Sequence, residues 1–312
     1  MKKWFFGFVI LLVIALAGWY FLKPAPPAKV EQMVSIITNP QAFQRTILHD
    51  DSWAKWWPHE GNTRTAPLNP LRFSYNDRTY TLVEKRQNTI LIDVLGGKDT
   101  VHTALTFIPS FPDTMHVIWA ASENPVRSYQ PAAITALNKD LRILLEKMDN
   151  YYSRPEHVYD RKIEQILVTD SLLVSTVKTT KGYPSIPFIY DMIGTLRNYV
   201  KSQSAKETGF PMLNITTNDS LEFLTRVALP VDRRLPGTDA ISYKWMMGGG
   251  KILVTEVKGG PQAIKEAVHQ LDNFVRDHNR VAPAIPFQSL ITDRMAEKDT
   301  SRWITKLFYP VM

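Results

Sequence analysis

Lys251-Ile252-Leu253-Val254-Thr255-Glu256-Val257-Lys258 is the stretch from which the fold can be read, because the chain uses it twice. Its last six residues echo Leu173-Val174-Ser175-Thr176-Val177-Lys178, 80 positions earlier, and Pro310-Val311 echoes Pro230-Val231 at the same offset. Between these anchors, Leu271, Phe274, Val275 and Pro286 lie 75 positions after Leu196, Tyr199, Val200 and Pro211. The first copy therefore carries five extra residues before its helix, and the second carries five extra before its last strand. Equal anchors separated by loop-length differences mark a duplicated structural unit.

Each copy reads as strand, helix, strand, strand. In the second, the β-branched and apolar run Ile252–Val257 ends at Gly259-Gly260-Pro261, a turn signal. Gln262–Asp277 carries Ile264, Val268, Leu271, Phe274 and Val275 at helical spacing. Phe287–Thr292 and Trp303–Tyr309 are the closing strands. In the first copy the helix runs from about Phe188 to Val200, and a strand covers Leu221–Leu229. One such unit cannot bury both faces of its sheet. Two side by side share a core and leave a cleft at a pseudo-twofold axis.

The pattern of helix, Pro286-Phe287-Gln288 and Trp303-Ile304-Thr305-Lys306-Leu307-Phe308-Tyr309-Pro310-Val311 resembles the gyrase-inhibitor-like effector-binding family. Those ligand domains stand behind the DNA-binding heads of AraC- and MerR-type regulators. The resemblance covers about Tyr159 to Met312. It implies two βαββ units (about 159–231 and 243–312) around a pocket for a small apolar or amphiphilic molecule. By that resemblance the pocket set is Tyr190, Glu222, Trp245, Gln288 and Trp303, and Trp303→Ala should weaken binding while leaving the fold intact. The family's multidrug-binding members have Glu where Gln288 stands, and many have Glu where Lys306 stands. Those departures favour neutral or anionic ligands, with Lys306 a candidate anion partner. In the Leu221–Leu229 strand, Glu222 and Arg226 share one face; a solvated edge pair is the plain alternative to a cleft wall.

Upstream, Asn39-Pro40 opens a short helix, Gln41–Leu48, followed by Trp53-Ala54-Lys55-Trp56-Trp57-Pro58. Strand-like runs cover Thr79–Glu84, Thr89–Leu95, Val101–Ile108 and Met115–Ala121, with turn residues between them. A helix over Pro131–Tyr152 presents Leu137, Leu141, Leu144, Leu145, Met148 and Tyr152 as one stripe. This order resembles the START/polyketide-cyclase-like (SRPBCC) helix-grip family, whose members hold a deep apolar cavity between sheet and long helix. The match covers about Val30 to Tyr152.

At the start, Trp4–Leu22 is nineteen residues without a charge, preceded by Lys2 and Lys3. As a helix it spans roughly 28 Å, close to a hydrocarbon core. It predicts a single-pass anchor at the cell membrane with the soluble domains exported, followed by the spacer Lys23–Lys29. A cleaved signal peptide is the alternative. The expected fold class is thus α+β: a membrane anchor and spacer (1–29), a helix-grip domain (30–153) and a duplicated effector-binding domain (156–312), joined near Arg154-Pro155.

The whole chain has a net charge of +7, but residues 1–29 hold four Lys and no acid. The remainder has 33 basic against 30 acidic residues, which argues against a nucleic-acid partner. With no Cys there is no disulfide framework and no thiolate metal site. His49, Asp50, Asp51, His59 and Glu60 match no metal-ligand spacing. Gly248-Gly249-Gly250-Lys251 lacks the spacing of a phosphate loop. Neither a metal nor a cofactor is expected. Asn214-Ile215-Thr216 and Asn218-Asp219-Ser220 fit the glycosylation acceptor pattern. The functional expectation is a non-catalytic binding or sensing protein. The alternatives are a hydrolase or cyclase, for which Glu222, His102 and His116 are the candidate bases, and a protein-interaction adaptor.

Overall fold

The computed structural model of the chain describes residues 29–58, 71–110, 112–122, 131–169, 171–217 and 222–312. Its elements form a mixed α+β architecture with two curled antiparallel sheets. By internal contacts the chain divides into two units. One runs up to Val34 and adds Trp57–Phe107 and Val117–Glu146; the other takes Ser35–Trp56, Ile108–His116 and Lys147–Met312.

The first half comprises β1 (Glu31–Ile37), α1 (Pro40–Ile47), α2 (Asp50–Trp56), β2 (Arg72–Tyr75), β3 (Arg78–Lys85), β4 (Thr89–Gly96), β5 (Asp99–Ser110), β6 (Thr114–Ala121) and α3 (Pro131–Tyr152). The strands order β1-β6-β5-β4-β3-β2. Helix α1 starts at Asn39 because its Oδ1 accepts from the backbone N–H of Gln41 and Ala42, at 2.9 and 3.0 Å, while Pro40 has no N–H to satisfy. Alternation places the side chains of β4: Ile90, Ile92 and Val94 are buried and the residues between them are not. Helix α3 buries the whole expected stripe from Leu137 to Tyr152. Each such fully buried Leu or Ile contributes about 1.5–3 kcal/mol. The tryptophans are core: Trp53 Nε1 donates to Ile47 O at 2.8 Å, and Trp57 Nε1 donates to Ser74 O at 2.9 Å. The Trp57 ring packs against Phe73 and Tyr80, each at 5.1 Å.

The second half comprises α4 (Pro155–Val158), β7 (Glu164–Leu167), β8 (Ser171–Thr180), α5 (Ile186–Ser202), β9 (Met212–Thr217), β10 (Phe223–Val231), β11 (Ser242–Met246), β12 (Lys251–Lys258), α6 (Pro261–Asp277), β13 (Phe287–Leu290) and β14 (Ile304–Val311). Strand, helix, strand, strand occurs twice, as β8-α5-β9-β10 and β12-α6-β13-β14. The sheet order is β11-β8-β10-β9-β13-β14-β12-β7. The two repeats meet at β9 and β13, where Leu213 pairs with Gln288, its own equivalent at the offset of 75. The pseudo-twofold axis therefore runs through that pair. Beyond the expected repeat there is one more strand per copy, and it is exchanged. Strand β7 precedes β8 but pairs with β12; β11 precedes β12 but pairs with β8.

Both long helices cover one face. Ile189, Met192, Ile193, Leu196 and Val200 of α5 pack with Val174, Leu213, Val227 and Leu229. Ile264, Ala267, Leu271 and Val275 of α6 pack with Leu253, Val257, Leu307 and Val311. This face corrects one detail of the duplication. Val174 and Thr176 are buried where Leu253 and Thr255 are, so β8 and β12 correspond at an offset of 79. At an offset of 80, buried Thr176 would match exposed Glu256. Two residues of the same type next to each other let the letters align one step out of phase with the pleat. The C-terminus of α6 also holds α1. Arg45 Nη2 reaches Asp277 Oδ2 at 2.7 Å, Tyr159 donates its hydroxyl to the same oxygen at 3.0 Å, and Asn39 Nδ2 donates to Asp277 O at 2.9 Å.

The expected single-pass location at the cell membrane, with the soluble domains outside, is corrected. Among the described residues no helix is long and apolar enough to cross a membrane. Trp4–Leu22, on which that expectation and the membrane partner rested, lies outside the described residues.

Candidate functional site

The face of the second sheet turned away from α5 and α6 holds the site. Register brings Val177, Arg226 and Asn214 together across β8, β10 and β9, with Ser175, Ala228 and Met212 in the next row. Phe287 of β13 and Ile252 paired with Pro310 continue the same face. Two connections cross it. Val168, after β7, donates its N–H to Gly250 O at 2.7 Å and accepts from Gly249 N at 2.9 Å, before β12. The left-handed turn this needs falls on Gly249, at φ +86°. Thus the exchange of β7 and β11 sends two backbone segments over the sheet, where they bond to each other.

Between sheet and crossing segments lies a cavity of about 1000 Å³. Its walls are mainly apolar: Leu173, Met212, Ile252, Ile285, Phe287 and Pro310, with Trp245, Met246 and Met247 from β11 and its exit. Trp245 is 59% exposed and Met247 68% exposed, so the rim is apolar as well. The charged side chains of the lining are those of Arg226, Lys244 and Lys251, with no Asp, Glu or His among the described lining residues. Arg226 Nη1 donates to Asn214 Oδ1 at 2.9 Å and Thr216 Oγ1 at 3.0 Å. Asn214 Nδ2 donates to Pro286 O at 2.9 Å, which fixes which way its amide faces. Arg226 does not pair with Glu222; the edge-pair reading is replaced by this neutral cradle.

Of the five residues named for the pocket, the structure puts Trp245 on the cavity wall. Tyr190, Gln288 and Trp303 meet elsewhere, on the helix side of the sheet around Arg294. Arg294 Nη2 donates to Gln288 Oε1 at 3.3 Å and Thr305 Oγ1 at 2.9 Å, and its guanidinium lies 4.8 Å from the Trp303 ring centroid. Arg294 N donates to the Tyr190 hydroxyl at 2.6 Å. Burial pushes the Arg294 pKa down and that of Tyr190 up. Gln288 alternates with Phe287, so it shares a face with Leu213 and Leu307, away from the cavity. Trp303 is 5% exposed and its Nε1 donates to Glu297 O at 3.0 Å. Glu222 is half-buried ahead of β10 and is not among the cavity's lining residues. Lys306 is exposed and is likewise absent from that lining.

Sequence reasoning missed Arg226 as a cavity residue, and took Asn214 only as a glycosylation acceptor, although its side chain is engaged inside the sheet. The available signal was their common face on adjacent strands. The candidate bases His102 and His116 are not among the cavity's lining residues: exposed His102 has its Nδ1 2.7 Å from Asp93 Oδ1, and half-buried His116 has its Nδ1 2.9 Å from Ser35 Oγ. Among the described residues no three ligating side chains converge on a metal position; His59 and Glu60 lie outside them.

Among solved structures the chain is similar to the EcmrR C-terminal domain (14% identity, covering 49% of this chain and 98% of that one, TM-score 0.42). It is similar to SAV2435 bound to tetraphenylphosphonium (13% identity, 48% and 94%, TM-score 0.32). It is also similar to the Aha1 dimer from Colwellia psychrerythraea (11% identity, 40% and 96%, TM-score 0.32). No family model matches the sequence. No curated protein matches it either.

Proposed function

We propose that this protein binds a small apolar or amphiphilic molecule, neutral or anionic, in the cavity between its two C-terminal repeats, and that it does so without catalysis. The observation that carries this is the cavity of about 1000 Å³ with a mainly apolar wall and charged side chains that are all basic. Pockets of that size and lining suit drug-sized or lipid-like ligands. A general acid or base must stand within reach of its substrate; of the usual kinds, the described lining residues offer Lys244 and Lys251, both exposed, and no Asp, Glu, His, Tyr or Cys. We further propose the domain division at Arg154-Pro155, with a helix-grip domain before it and an effector-binding domain of the gyrase-inhibitor-like kind after it.

Native mass spectrometry of the full chain, purified from its own host and then stripped, tests the reading. The expected outcome is a co-purifying mass of small-molecule size that is lost on stripping. Trp245→Ala should reduce its occupancy, because it removes the apolar rim. A folded chain that never carries such a mass, and takes up none from a panel of neutral and anionic amphiphiles, would rule the cavity out as a ligand site.

A further inference from the structure

Among the cavity's charged groups, Arg226 differs from Lys244 and Lys251. The two lysines are exposed, whereas Arg226 is half-buried on β10 in the middle of the sheet's open face. Its Nη1 has two N–H bonds, and both are taken, by Asn214 Oδ1 and by Thr216 Oγ1. Those acceptors are neutral, so they orient the guanidinium without neutralising it. What is left is the Nε–Nη2 edge. That edge offers two parallel N–H donors, the spacing that a carboxylate meets with both of its oxygens. An alkylammonium such as Lys offers no equivalent fork.

We infer that the cavity takes a single-chain carboxylic acid, with the carboxylate on the Nε–Nη2 edge of Arg226 and the chain along Met212, Ile252, Phe287 and the Trp245–Met247 rim. This rests on the cavity reading above and adds the head group and the residue that selects it. The clamp is built from two strands of the first repeat: Asn214 is held by the carbonyl of Pro286 in the second, so the guanidinium is set before any ligand arrives. Preorganisation of that kind lets a charged contact add to affinity, since less side-chain freedom is lost on binding. The apolar walls around it strengthen the pairing, because water screens it less there.

Calorimetric titration of the full chain with dodecanoate and dodecanol, both kept monomeric, tests this. Wild type should bind the acid about 10- to 100-fold more tightly than the alcohol, the range of a charge-assisted pair. Arg226→Gln should remove that preference, by weakening dodecanoate far more than dodecanol. Arg226→Lys, which keeps charge and loses the fork, should recover only part of it. Lys244→Gln with Lys251→Gln should keep the preference, and this variant decides the matter if Arg226→Gln does not fold. Equal affinity for acid and alcohol in wild type overturns the carboxylate assignment and leaves the cavity reading standing. So does a preference that survives Arg226→Gln or vanishes in the double lysine variant. Binding of neither compound by folded wild type overturns the cavity reading itself.

Discussion

Arg294 and Thr225 show how one position in a repeat can be solved twice. Thr305 and Thr225 stand 80 apart, and both are fully buried. The Thr305 hydroxyl accepts from Arg294, while the Thr225 hydroxyl has no partner. Arg294 sits in the longer loop of the second repeat, so the five-residue difference visible in the sequence is what brings a guanidinium under the sheet. Residue spacing revealed the insertion, but not that its Arg turns inward, since an Arg in a polar loop is normally solvated. Trp303 is part of the same plug. Its burial makes Trp303→Ala a stability change of about 3–5 kcal/mol, measured by urea unfolding. The same variant should leave dodecanoate binding unchanged at temperatures where it is folded. A variant with wild-type stability and weakened binding would return Trp303 to the cavity. The Arg226 cradle was not readable from the sequence, because it depends on which residues of β9 lie opposite β10.

At the scale of elements, the long helices and the meander were legible because their periodicity is carried by many residues. Helix α3 has the bounds its stripe of leucines predicts. Strands β7 and β11 were not legible. Every residue of β7 is exposed, and β11 is mostly exposed, so neither shows the alternation of a half-buried strand. Their partners lie more than 65 residues away, beyond any local signal. Helix α1 is held by a side-chain contact of still longer range, 232 residues. Asp277 is 5% exposed and is shared by Arg45 and Tyr159. Removing one partner of a buried pair leaves a desolvated charge, so Arg45→Met should cost about 3 kcal/mol. The fragment 156–312 should fold, yet be less stable than the same residues in the full chain for the same reason. Calorimetric melts of the three proteins compare them. A fragment that melts as high as the full chain would show that the Arg45 pair contributes little.

For the whole molecule, alkaline pH probes packing in both units. Burial, with Asp160 nearby, pushes the Tyr151 pKa up to about 12; burial and a hydrogen bond to Asp272 do the same for Tyr309. Burial pushes Tyr80, Tyr152 and Tyr159 up as well. An unfolded tyrosine titrates at about 10. Below that value both states hold these protons and their contribution to stability is fully present. Between about 10 and about 12 the unfolded chain binds fewer protons than the folded one, so stability falls as pH rises. The urea midpoint should therefore drop steadily across that window, with phenolate absorbance appearing together with unfolding. A flat midpoint, or full phenolate absorbance from a folded chain, would mean these rings are far more open to water. Composition and charge showed none of this, since titration depends on what surrounds each ring.

The crossing of β7 and β11 has a topological consequence. Each half of the duplicated region lends the other an arm, as two subunits do in an arm-exchanged dimer, and the stretch between Asp232 and Ile241 is the tether that joins them. A nick in that tether would not set the halves loose. They would stay clasped through two exchanged strands and the paired β9 and β13, migrate as one species under native conditions, and part only in denaturant. The cavity is thereby roofed by the clasp itself, so a ligand inside it reports on whether the two arms are still interlocked.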